Sequence, residues 1–264
     1  MSSFRDDTHA DINDAVEAYY RTTLGEYLNA VGDNALAEAT AACALPIEQA
    51  FLDHEPTGEP SVEFLLECLW VYLIDEAINP DESVCVKLVD LVLALQRRGV
   101  LAREPGGQEC LLWGGRLWDE LPLFGPQMRE AWNFTHRDYP ASYLDSIAFA
   151  ARLTSAACGK NDAIDFTLYA MWDFRDSLEH NREQLDEMGL HHDPEDLLIG
   201  VVQWLKLCGP VLAALAAGHP EDDGADFSVP RWNRWRERLA DIAEGPEPAA
   251  GTARNALSFM PALA

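Results

Sequence analysis

Between Leu197 and Ala217 the chain reads LLIGVVQWLKLCGPVLAALAA, a run almost wholly apolar and long enough to cross a bilayer. Such a run has to leave water as a unit, into lipid or into a shell of protein. Lys206 stands near its centre, where a charge costs roughly 2.5 to 3.5 kcal/mol on insertion scales. Gly209-Pro210 interrupts the helical pattern just beyond it, and acidic residues flank the run instead of basic ones. The expectation is therefore a central buried helix, or two halves broken at Gly209-Pro210. Other helices must cover it on every side.

The rest of the chain supplies those helices. Apolar residues recur with helical spacing near 10–31, 34–53, 61–78, 81–98, 126–136, 141–158, 161–184, 194–217, 228–244 and 250–260, and no stretch alternates as a strand does. The fold class expected is all-α, an orthogonal multi-helix bundle or a short α-solenoid-like array of about ten helices. With 264 residues, 48% of them hydrophobic and eight of them tryptophan, there is ample material for a core. The segment 55–61, EPTGEPS, separates two apolar regions. It suggests an N-terminal helical pair over 1–60 packed on a main all-α domain over 61–264. The long non-helical stretch 99–125 is expected to be ordered by Trp113 and Trp118 lying against the body.

Charge narrows the function. Forty-five acidic residues against 19 basic ones give a formal charge of −26, which repels phosphate backbones and anionic membranes. Neither nucleic acid nor membrane is an expected partner. Few lysines among many carboxylates can mark a high-salt proteome, yet six cysteines and eight tryptophans fit that poorly. Cys43, Cys68, Cys85, Cys110, Cys158 and Cys208 form no C-x-x-C pair. Cys68, Cys85 and Cys208 lie inside apolar helical runs, as buried thiols do. The first residues, MSSFRDDTHADIND, have no basic-then-apolar character. Reduced thiols in an intracellular compartment, cytoplasmic or nuclear, are expected.

Four constellations carry candidate chemistry. In 161–184, Asp162, Asp165, Asp173 and Asp176 fall within roughly 80° of one helical face, opposite Ile164, Leu168, Met171, Phe174 and Leu178. Such a face is usually a solvated one. The alternative reading is a Mg²⁺ site at Asp162 and Asp165, since oxygen ligands suit a hard cation that also binds substrate phosphates. The same helix spaces Arg175 and Glu179 at i, i+4 on the edge of its apolar face, as a half-buried structural pair. In RWNRWRERL (231–239), Trp232, Trp235 and Leu239 make one stripe continuing to Ile242 and point to core docking, with Arg231, Arg234 and Arg238 answering acids alongside. HHDPED (191–196) invites a zinc reading, but Asp193-Pro194-Glu195-Asp196 is explained as a helix start. Nucleophile-elbow, dinucleotide and P-loop motifs are absent from the sequence.

Six segments in order carry a resemblance: LWVYLIDEAINPDESVCVKLVDLVLALQ (69–96), LWDELPLFGPQMREAWNF (117–134), SIAFAARLT (146–154), YAMWDFRDSLE (169–179), VVQWLKLCG (201–209) and VPRWNRWRERL (229–239). From Leu69 onward the chain resembles a filamentous-fungal family of helical proteins known only as a domain of unknown function. The matching positions are mainly Trp70, Pro80, Trp118, Leu121, Pro122, Trp132, Arg175, Glu179, Trp204, Trp232 and Trp235, that is aromatics, turn residues and the Arg175–Glu179 pair. The resemblance implies a fungal, intracellular helical protein and brings no catalytic residue.

Around Trp70, Trp132, Trp172 and Trp204 an aromatic-rich core with an apolar cavity or groove is expected. The function expected is a non-catalytic binding protein for a partner helix or a hydrophobic small molecule, without cofactor. The alternative is an unconventional enzyme of fungal secondary metabolism, working on an isoprenoid or polyketide, with Mg²⁺. An enclosed pocket with inward polar groups favours the enzyme, and an exposed apolar groove favours a protein partner. Oligomeric state is not legible from the sequence.

Overall fold

The computed structural model describes residues 4–53, 60–78, 81–104, 106–137, 141–157, 162–190 and 192–263, with side chains from 12 onward apart from 134–137, 141 and 162. Pro80, Cys158 and His191, singled out in the sequence, lie outside these. The described residues form α1 (Phe4–Asn29), α2 (Ala35–Leu52), α3 (Val62–Ala77), α4 (Glu82–Gln96), a hairpin of β1 (Leu111–Leu112) and β2 (Gly115–Arg116), then α5 (Phe124–Arg137) and α6 (Ala141–Ala157). A 3-10 turn (Asp162–Ile164) follows, then α7 (Thr167–Leu178), α8 (Arg182–Glu187), α9 (Pro194–Ala217), α10 (Val229–Ala243) and α11 (Ala249–Phe259). The all-α expectation holds.

Local chemistry sets many of the boundaries. The Ser61 and Ser228 hydroxyls accept the backbone N–H of Phe64 and Arg231, and Asp81 accepts that of Ser83, so α3, α4 and α10 start on side-chain caps. Asn181 and Gln184 close a capping box at the start of α8. This box ends the single helix expected over 161–184, which is instead a 3-10 turn, α7 and α8.

The chain divides into two compact units, Met1–Phe134 and Thr135–Ala264. That boundary lies at 134/135, not at 60/61. α1 packs on α2 and α3, and α2 also packs on α4, so the N-terminal pair is part of the first unit's core. Tyr20, Leu24, Ile47, Leu66, Leu73, Leu88 and Val92 are buried there. The Trp70 indole donates to the carbonyl of Pro122 at 3.0 Å and its ring meets Phe124 edge-on. Leu121 and Leu123, on either side of Pro122, are buried with φ of 45° and 68°, backbone that costs a branched residue about 1–2 kcal/mol.

In the second unit α9 is the central element, packed against α6, α7, α10 and α11. It is long and apolar enough to cross a membrane, but 61% of its most apolar window is buried in the protein. Gly209-Pro210 does not break it. The C-terminal segment packs against Gly209 through Pro261, and packing from α6, α7, α10 and α11 holds α9 through the missing N–H of Pro210.

Candidate functional site

The aspartate-rich segment does not form the single solvated helical face expected of it. Asp165 accepts the backbone N–H of Thr167 at 2.9 Å, a local bond that starts α7 afresh. The break at Asp165 and Phe166 removes the face that the four aspartates would have shared. The side chain of Asp162 lies outside the described residues. Asp173 and Asp176 turn inward instead and are only 3% and 6% exposed, whereas Leu168, expected in the core, is 49% exposed.

Asp173 is held from both neighbouring helices. Its Oδ1 accepts a hydrogen bond from the Tyr143 hydroxyl of α6, and its Oδ2 accepts the Trp204 indole N–H of α9 at 2.6 Å. Gly200 of α9 lies beside this carboxyl, where a side chain would sit 3.1 Å from Ile147 Cδ1 and so press on α6. Burial drives the Asp173 pKa up to about 7. The two hydrogen bonds pull it partly back, and the charge of Asp176 adds to the rise. Asp176 Oδ1 lies 3.1 Å from His180 Nδ1 and 3.5 Å from Arg175 Nε. Among the described residues, no three His, Cys, Asp or Glu side chains gather where a metal could be held.

The expected Arg175–Glu179 pair does not form. Glu179 caps the end of α7, its backbone N–H still bonded to the Arg175 carbonyl at 2.9 Å, but its carboxylate is taken by α10. It receives the Arg231 guanidinium through two bonds of 2.6 and 2.7 Å and the Trp235 indole at 2.7 Å. Burial raises the Glu179 carboxyl, but the bonds from Arg231 and Trp235 outweigh it and hold the pKa below the ordinary value. Trp232, Trp235, Leu239 and Ile242 all face inward, as their spacing predicts. Of the four tryptophans expected around a cavity, Trp70 and Trp132 are buried in the first unit and Trp204 in the second. Trp172, also in the second unit, stacks on Tyr169 with ring centres 5.1 Å apart.

None of the four lines the prominent opening of the first unit. This is a groove of about 1130 Å³ between α1, α2 and the start of α3, open to solvent. Ile12, Val16, Tyr19, Ala50, Phe51 and Leu65 give it an apolar wall. Its floor is Tyr20, fully buried, with a hydroxyl that has no hydrogen-bond partner among the described residues. Pro46 helps to build the wall by what it lacks. Without an N–H it cannot bond to the carbonyl of Ala42, and the Tyr19 hydroxyl of α1 donates to that carbonyl instead, at 2.9 Å. Charged lining comes from Asp53, Glu63 and Arg103, the last lying 5.1 Å from the centre of the Phe51 ring.

At the groove's edge stands a residue whose placement the sequence did not reveal. Trp113 was expected against the body, but it is 71% exposed at the tip of the β1–β2 hairpin. Trp113 and Gly114 have φ of 52° and 83°, as a two-residue turn of the primed kind requires. Tryptophan in that conformation costs about 1 kcal/mol, and its ring gains little burial in return. Its indole donates to Glu63 at 2.8 Å, which fixes the ring beside the groove. The W-G-G run at 113–115, inside a stretch otherwise free of helical pattern, was the available signal for a hairpin turn.

These features define an all-α protein with an open apolar groove and a core tied by indole hydrogen bonds. The chain belongs to the family described as a protein of unknown function (DUF3632), whose model matches residues 70–239. The resemblance seen from Leu69 onward is borne out to that extent. No curated protein and no solved structure matches the chain. The Asp173 network lies within the matched region, whereas the groove draws most of its wall from α1 and α2 ahead of it.

Proposed function

We propose that the protein is a non-catalytic binding protein that seats the apolar face of a partner in the groove between α1, α2 and α3. One observation carries this reading. A groove of about 1130 Å³ keeps a wall of apolar side chains open to solvent. Among the described residues, its lining contains no histidine or cysteine. Ser61 caps α3, and Glu63 is engaged by Trp113. A catalytic pocket commonly pairs a nucleophile with a histidine or a second carboxylate, and no such pair is found among the described lining residues. Asp173, whose pKa is displaced as catalytic groups often are, has both oxygens occupied inside a packed core.

The neutral apolar dye Nile red tests the groove directly. Wild-type protein is expected to bind it saturably, with a blue-shifted emission. Ala15→Phe combined with Ala50→Phe fills the groove without changing charge, and weakens binding by about tenfold or more, equivalent to about 1.4 kcal/mol. The melting temperature of the filled variant serves as the control for folding. Equal dye affinity in both proteins, or no saturable binding in either, overturns the reading.

A further inference from the structure

We infer that the partner is a cationic amphipathic helix and that Trp113 is the residue that anchors it. This rests on reading the groove as a binding site. The first argument is the shape of the open wall. α1 contributes Ile12, Ala15, Val16, Tyr19 and Tyr20, spaced i, i+3, i+4, i+7 and i+8. This is the stripe one helix presents to another, and four of the five side chains are still partly or largely solvent-exposed. Two helical turns separate Ile12 from Tyr19, about 10 Å along the axis, the span over which a groove-bound helix places its i, i+3/i+4 and i+7 anchors. A small apolar molecule would be served by an enclosed cavity and has no use for a helical stripe.

The second argument is Trp113. Backbone strain spent on an exposed aromatic is not explained by stability of the fold. An exposed tryptophan with a fixed ring is the residue type that dominates binding energy at protein interfaces. The Glu63 bond orders the indole before a partner arrives, and exposed Leu111 extends the apolar surface at the hairpin.

The third argument is charge. Residues 1–134 carry 24 acidic against 8 basic side chains, a net −16. Among the described residues Asp53 on the rim has no ion-pair partner, and the Arg103 guanidinium sits over the Phe51 ring. Long-range attraction therefore favours a partner with lysine or arginine beside its apolar face, and it disfavours a second copy of this chain or an anionic lipid surface.

The test is selection from a displayed library of random helix-length peptides on the wild-type protein, with counter-selection on Trp113→Ala. Enriched peptides are expected to repeat large apolar residues at i, i+3/i+4 and i+7 with Lys or Arg between. A synthetic consensus peptide should bind wild type and lose about tenfold or more in affinity to Trp113→Ala. Trp113→Phe, which keeps a ring and loses the Glu63 bond, should fall between the two. Added salt should weaken binding. Three results overturn the inference: no enrichment over Trp113→Ala, a consensus without basic residues, or a consensus indifferent to Trp113. A dimer in sedimentation that Trp113→Ala dissolves also overturns it, in favour of self-association. Nile red separates the two levels. If the dye occupies the groove and no peptide is enriched, the helix inference falls alone; if the dye does not bind there, the reading of the groove falls with it.

Discussion

At the residue scale, this protein uses tryptophan as a donor as much as a hydrophobe. Glu48 receives the Arg98 guanidinium and the Trp118 indole in the first unit, and Glu179 receives Arg231 and Trp235 in the second. Each assembly lets a large ring be buried without leaving its N–H unpaired, and each fixes a carboxylate that would otherwise repel its many neighbours. Asp173 is the third such acceptor and the one with a consequence for pH. Its carboxyl has an ordinary value of 3.8 and rises to about 7 in the fold. Between those values the folded protein holds a proton that the unfolded chain has released, so stability falls as pH rises through that window. Asp173→Asn mimics the protonated form, because its oxygen can accept from Trp204 and its amide can donate to Tyr143. Urea melts from about pH 4.5 to 8 should show a shallower decline in Asp173→Asn than in wild type. Asp173→Ala leaves both donors stranded and should cost about 2–5 kcal/mol across the range.

At the element scale, two prolines inside helices are accommodated by different means. Pro210 in α9 is held by packing, while Pro46 in α2 has its lost bond replaced by Tyr19 from α1. The second case ties the groove's two walls together and can be isolated by a double-mutant cycle. Tyr19→Phe alone should destabilise by about 1 kcal/mol by freeing the Ala42 carbonyl. In a Pro46→Ala background the new backbone N–H meets that carbonyl, and Tyr19→Phe should cost about 0.5–1 kcal/mol less. Equal costs in both backgrounds would show that the hydroxyl is not the substitute. Most elements were legible from apolar spacing and caps. The segment 161–184 was misread because its acids and apolar residues separate cleanly on a helical wheel. The signals against it, Asp165 before Thr167 and the Asn181–Gln184 box, are short-range bonds that periodicity does not register.

At the scale of the whole molecule, charge is the governing term. A chain at −26 repels itself, and both units share the excess. Sodium chloride should therefore raise the melting temperature between low and moderate ionic strength, by screening alone. A melting temperature indifferent to salt would mean that the carboxylates are already neutralised by local partners. The same salt should loosen a cationic helix from the groove, so stability and binding are expected to move in opposite directions.

The amino-acid sequence by itself determined what repeats along the chain: the all-α class, nearly every helix, the buried role of Leu197–Ala217 and of the Trp232/Trp235 stripe, and the family. Each follows from residues close in sequence and from the need to bury a periodic apolar face. Only the tertiary structure decided where single side chains went. Asp173 looks like a surface acid until α6 and α9 bring Tyr143 and Trp204 to it. Trp113 looks like core until a two-residue turn turns it outward. The groove is a gap among three helices, and no local pattern records a gap. Burial and partnership are properties of pairs far apart in the chain, which is why the candidate site had to be found in the fold.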